Sequence, residues 1–184
     1  MTRVERLGRR LAAENSRWRV FLDHIRDEAG REVPDYLVVE PKVALPGAVT
    51  GVAVLPVMDD RVVLLPVWRH AIAAQGFELV KGFIDAGETA AEGALRELAE
   101  ETGLACDPAD LAFIGNVAPE PSTLAGKGAL FIARDCRPAS SPSDDEIGLA
   151  APRAFATDEL DVLIRDGAIE DAMTLVACLS YLRR

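Results

Sequence analysis

The chain has 184 residues, 49% of them hydrophobic, a net charge of −10 and a pI near 4.7. Such apolar content excludes a disordered chain, and the length suffices for a core that needs no staples. The acidic balance argues against binding to a nucleic-acid backbone. Residues 1–16 read as a polar lead-in or short helix. Residues 17–26 and 32–40 alternate polar and apolar side chains around a turn signal at Asp27-Glu28-Ala29-Gly30, so a hairpin is expected there. Two runs rich in β-branched residues, 49–57 and 61–68, follow as strands joined at Asp59-Asp60. A short strand at 77–80 leads into a loop bracketed by Gly82 and Gly87, and a helix comes next. Residues 111–117 and 128–134 read as strands around a loop containing Pro119 and Pro121, and 138–145 is a polar loop. Helices at 157–166 and 169–182, with Gly167 between them, close the chain. This order predicts an α/β fold, an α/β/α sandwich with a mixed sheet, over residues 41–184. Residues 1–40 form an N-terminal antiparallel β-hairpin or sheet extension.

The helix after Gly82 carries the chemistry. Thr89 is placed to cap it, with Glu92 completing a capping box, and Gly103 ends it. Ala91, Ala94, Leu95 and Leu98 form its apolar stripe. Glu97, Glu100 and Glu101 are three and four residues apart, so they are expected to converge on one spot. Like charges so close repel unless a cation sits among them. An all-oxygen donor set without His or thiolate suits Mg²⁺, with Mn²⁺ able to substitute. Arg96 is placed to orient the carboxylates with its planar fork. Cys106, Cys136 and Cys178 show no metal or redox spacing and are expected to be reduced, buried thiols. With no signal-peptide pattern and no run long enough to cross a membrane, the expectation is a cytoplasmic protein.

The spacing of Gly82, Glu88, Arg96-Glu97-Leu98, Glu100-Glu101 and Thr102-Gly103-Leu104 matches the fixed positions of the Nudix box. The chain therefore resembles the Nudix hydrolases, which cleave nucleoside diphosphates linked to another moiety. Three features resemble the ADP-ribose pyrophosphatase branch: Pro119 beyond the box, the lead-in Phe77-Glu78-Leu79-Val80-Lys81-Gly82, and Gly167-Ala168-Ile169-Glu170-Asp171-Ala172. Val67-Trp68-Arg69 stands where that branch has Gln-Tyr-Arg, and Val80-Lys81 where it has Pro-Ala.

The resemblance implies hydrolysis of ADP-ribose to AMP and ribose 5-phosphate. The metal ligands would be Glu97, Glu100, Glu101 and the Lys81 carbonyl. Among the catalytic residues, Arg96, Glu97 and Glu101 would act at the metal, and Glu146, in the acidic run Asp144-Asp145-Glu146, as general base. Arg69 is the candidate for holding a phosphate or ribose, Trp68 and Phe21 for stacking on a base, and Pro119 for lining the substrate site. The N-terminal hairpin resembles a sheet that reaches across to a partner subunit, so a homodimer with a shared substrate site is expected. Alternatives are another nucleotide sugar, a dinucleoside polyphosphate, or a non-catalytic nucleotide sensor. The last is disfavoured because the box carboxylates are all present.

Overall fold

The computed structural model describes residues 3–143 and 147–183. The candidate base Glu146, with Asp144 and Asp145, lies outside the described residues. The strands are β1 (Val4–Glu14), β2 (Trp18–Asp27), β3 (Glu32–Pro41), β4 (Val49–Met58), β5 (Arg61–Arg69), β6 (Ala74–Glu78), β7 (Val80–Phe83), β8 (Leu104–Ala105), β9 (Leu111–Val117), β10 (Lys127–Ala133), β11 (Arg137–Pro138) and β12 (Arg153–Phe155). The helices are α1 (Ala90–Thr102), α2 (Thr157–Arg165) and α3 (Ala172–Leu182), with a 3₁₀ turn at Pro108–Asp110. They divide into two compact units, Met1–Thr50 with Ala118–Lys127, and Gly51–Val117 with Gly128–Arg184.

The first unit carries the three-stranded antiparallel sheet β1-β2-β3. The lead-in or short helix expected before Ser16 is therefore corrected: β1 extends the hairpin by a strand. Asn15 explains the chain reversal, because its side-chain oxygen accepts from the amides of Arg17 and Trp18 at 2.9 and 2.8 Å. Between β2 and β3, Gly30 adopts φ 81° in the expected turn, and its amide donates to the Asp27 carbonyl. Buried Asp23 is gripped by Arg9 through two bonds of 2.7 and 2.8 Å, and Arg9 also reaches Glu40 at 2.7 Å. The loop 118–127 docks on β3 through two backbone bonds to Val39 and a bond from the Tyr36 hydroxyl to the Ser122 carbonyl.

The second unit is built on a seven-stranded mixed sheet of order β12-β5-β4-β10-β9, with β6 paired to β5 and β7 to β4. The β4–β5 turn places Asp59 and Asp60 at φ 50° and 59°, the left-handed pair a tight hairpin demands. On β4, Ala53, Leu55 and Val57 enter one cluster with Leu64, Ile132, Leu160 and Cys178, so α2 and α3 cover that face. Val52 and Val54 alternate to the opposite face. The architecture is the expected α/β/α sandwich. The single strand expected at 77–80 is corrected to two. The chain changes partner at Leu79, so Ala74–Glu78 pairs β5 while Val80–Phe83 pairs β4. The last helix starts three residues late because Ile169 turns into the core and Asp171 caps it. No helix among the described residues is long and apolar enough to cross a membrane. All three cysteines are free and buried, as expected.

Candidate functional site

The ends of α1 form as the sequence demands. The Thr89 hydroxyl accepts from the Glu92 amide at 3.2 Å, and the Glu92 carboxylate accepts from the Thr89 amide at 2.9 Å. Gly103 closes the helix at φ 70°. Ala94 and Leu98 are fully buried, but Ala91 is exposed and Gly93 takes its place on the inner face. Leu95 is half-buried.

The carboxylates of α1 differ in their surroundings. Glu97 and Glu101 are buried, each 9% exposed, whereas the Glu100 side chain is 50% exposed. Glu101 accepts from the Lys81 amide at 3.2 Å. Gly82 has ordinary backbone, but a Cβ there would land inside the Glu97 carboxylate, so glycine leaves the space that Glu97 occupies. Next to it on β4, a Cβ on Gly51 would stand 2.6 Å from the Gly82 carbonyl oxygen. β4, β7 and α1 thus meet through two glycines.

Arg96 supplies the cation the carboxylates need. Its guanidinium donates to both Glu88 oxygens at 2.9 Å, to the Phe83 carbonyl at 2.8 Å, to Glu97 at 2.7 Å and to Glu100 at 3.0 Å. These bonds, chiefly those to Glu88, raise its pKa further above the physiological range against the opposing effect of burial. The convergence expected of the three carboxylates is partial: Glu97 and Glu100 share Arg96, while Glu101 binds the backbone. Among the described residues, no group of three or more His, Cys, Asp or Glu side chains is arranged to hold a metal.

Arg96 holds Glu88 below the ordinary glutamate value of 4.5; burial opposes this and the Asp85 amide assists. A carboxylate depressed in this way stabilises the fold above its unfolded pKa and loses that contribution as pH falls through the folded value. Melting temperature should accordingly drop in acid below about pH 4.5, and the drop should be shallower in Arg96→Met. An unchanged acid slope in folded Arg96→Met would contradict the pairing.

Arg69 lies beside this site in the same unit. Its guanidinium meets Glu78 through two bonds of 2.9 and 2.7 Å. Lys81 Nζ binds Glu78 and, at 2.8 Å, Asp171, whose other oxygen caps α3 through the Thr174 amide at 2.8 Å. Burial pushes the Glu78 and Asp171 carboxyls up, but Arg69 and Lys81 together outweigh it at Glu78, as Lys81 and Thr174 together do at Asp171, so each stays below its ordinary value. A cavity of about 330 Å³ opens here, with Arg69, Ile72, Phe77, Glu78, Lys81 and Asp171 in its lining. Trp68, next to Arg69 on β5, points to the other face of the β5–β6 ribbon. It is 46% exposed and lines a second hollow of about 360 Å³ with Phe77 and Arg153.

The second unit therefore brings together Arg69, Lys81, Arg96, Glu97, Glu100 and Glu101, with Trp68 on the opposite face of the ribbon. Phe21 and Pro119 belong to the first unit. Phe21 is half-buried, with the Arg9 guanidinium 4.3 Å from its ring centroid. Glu78 and Asp171 were not singled out as site residues from sequence. The available signals were a charge inside an apolar strand and an Asp three residues before Thr174.

Residues 48–172 match the NUDIX domain family. Over 115 residues the chain is 32% identical to the ADP compounds hydrolase NudE of Escherichia coli (strain K12). That alignment spans 61% of this chain and 60% of the relative, less than two thirds of the relative's length. A crystal structure of an ADP compounds hydrolase is similar in fold, with a TM-score of 0.79 and 22% identity over 98% of this chain and 94% of that one. Such identity speaks for the fold alone. With the box residues assembled on β7, on α1 and at its two ends, and the family match covering more than half of its length, the chain belongs to the Nudix family.

Proposed function

We propose that the protein hydrolyses the diphosphate bond of a nucleoside diphosphate derivative, with ADP-ribose the first choice and AMP and ribose 5-phosphate the products. The observation that carries this reading is the oxygen-rich corner where Gly82 makes room for Glu97 and the Lys81 amide holds Glu101. The Escherichia coli relative, named an ADP compounds hydrolase, favours an ADP-linked substrate. The runner-up substrates are another nucleotide sugar and a dinucleoside polyphosphate. The test is kcat/KM for ADP-ribose against GDP-mannose, diadenosine tetraphosphate and dGTP. A higher value for any competitor overturns the substrate but not the diphosphate chemistry.

The donor set fits a hard divalent cation, being carboxylates and backbone oxygen with no thiolate or imidazole. Glu97, Glu100, Glu101 and the Lys81 carbonyl would hold Mg²⁺, or Mn²⁺ in its place. Bound there, the cation supplies charge neutralisation at phosphate oxygens and a more acidic water. Arg96 orients Glu97 and Glu100, and Glu88 holds Arg96 from behind. Arg69, held by Glu78, is our candidate for meeting a phosphate or ribose with its charge, and Trp68 offers a ring face to a base. Phe21 and Pro119 remain our further candidates for substrate contact. Glu146 is our candidate general base on family resemblance, and Glu146→Gln should lower kcat with little change in KM.

We further propose that the chain forms a homodimer through its N-terminal sheet and works in the cytoplasm, a reducing compartment that suits three free thiols. β1 is exposed along its whole length and carries Val4, Leu7 and Leu11 at the surface, with Val33 and Leu37 exposed on β3. An edge strand with free backbone groups is a ready template for pairing with a second copy. Light scattering at micromolar concentration should give twice the mass of 19.8 kDa; a monomeric mass overturns the dimer.

A further inference from the structure

Lys81 meets the candidate metal site through its backbone and the rest of the unit through its side chain. Its amide donates to Glu101, and the next residue, Gly82, lies against Glu97. Its ammonium, largely buried at 17% exposure, is gripped by carboxylates from two other elements. Glu78 ends β6, and Asp171 caps α3. Among the described residues, Arg69 and Lys81 bring two cations to the carboxylates of Glu78 and Asp171. Among the described residues, loss of the Lys81 charge would leave Glu78 with Arg69 as its cation and Asp171 with the neutral groups of Thr174. A largely shielded carboxylate short of its cation is costly, so the segment around Asp171 would shift.

We propose that Lys81 is a positioning residue: its ammonium, clamped between Glu78 and Asp171, fixes the backbone of residues 81 and 82 against Glu101 and Glu97, and so sets the affinity for the divalent cation. The inference rests on the metal site proposed above. Asp171 makes the proposal separable from helix capping. Asparagine caps a helix about as well as aspartate, so Asp171→Asn keeps the bonds to Thr174 while losing the charge that faces Lys81.

The experiment is a titration of the whole protein with Mn²⁺ alone, free Mn²⁺ being read by electron paramagnetic resonance and folding by circular dichroism. Lys81→Met and Asp171→Asn should each raise the Mn²⁺ Kd about tenfold or more, as losing a partner that orients a ligand does. Lys81→Met/Asp171→Asn should be no weaker than Lys81→Met, because both remove one clamp. Lys81→Arg, which keeps the charge, should bind more tightly than Lys81→Met. Wild-type affinity in folded Lys81→Met overturns the inference, and so does Lys81→Arg binding as weakly as Lys81→Met. If Lys81→Met does not fold, Asp171→Asn decides alone: a folded protein with wild-type affinity overturns the clamp. A wild-type protein that binds no Mn²⁺ overturns the metal site itself, which separates the two failures.

Discussion

Glu97→Gln and Glu101→Gln are each expected to lower kcat by more than the roughly 10–100-fold that losing an outer partner of a metal ligand costs, with the fold retained. Glutamine keeps the shape and one acceptor oxygen of each side chain but removes the charge a hard cation needs. Both positions are buried, so water cannot easily take over the lost role. Glu100→Gln should fall in the same direction. The checks are kcat at saturating Mg²⁺ and the melting curve of each variant. Near-wild-type turnover in both Glu97→Gln and Glu101→Gln, or full activity in excess EDTA, removes the metal-helix account.

Gly82→Ala should be nearly as damaging, for a steric reason. The backbone of Gly82 lies outside the left-handed region, so alanine meets no conformational strain there. The added methyl, however, enters the space of the Glu97 carboxylate, which has to move. We expect kcat to fall about a hundredfold, as a misplacement near 1 Å can cause, with little loss of melting temperature. Gly51→Ala makes the contrast. Its methyl would meet backbone, the Gly82 carbonyl at 2.6 Å, so overpacking of about 1–3 kcal/mol should show as lost stability. Full activity in Gly82→Ala would show that the Glu97 position is not set by this glycine.

The helix was legible from sequence because its signals are local. Thr89, Glu92 and Gly103 act within one turn of the residues they cap. Features made by distant pairing were hidden. Leu7 and Leu11 stand four apart as on a helix, yet β1 is a strand. Its residues are exposed and its register with β2 slips between Arg6 and Gly8 and again between Leu11 and Ala13, so no alternation survives in the sequence. The split at Leu79 depends on which strands flank it, β5 before and β4 after. The Lys81–Asp171 bond joins residues 90 apart in the chain, and no spacing rule reaches so far. Convergence of the α1 carboxylates was overstated for a different reason: helical spacing gives the face, but burial and the reach of Arg96 decide which side chains turn inward.

The central claim, metal-assisted cleavage of a diphosphate at the α1 carboxylates, is tested most directly by identifying the products of ADP-ribose turnover with Mg²⁺ and with excess EDTA. The account predicts AMP and ribose 5-phosphate in equal amounts with Mg²⁺, none with EDTA, and strongly reduced formation in Glu101→Gln. Release of ADP and free ribose, or equal turnover in EDTA, would contradict it.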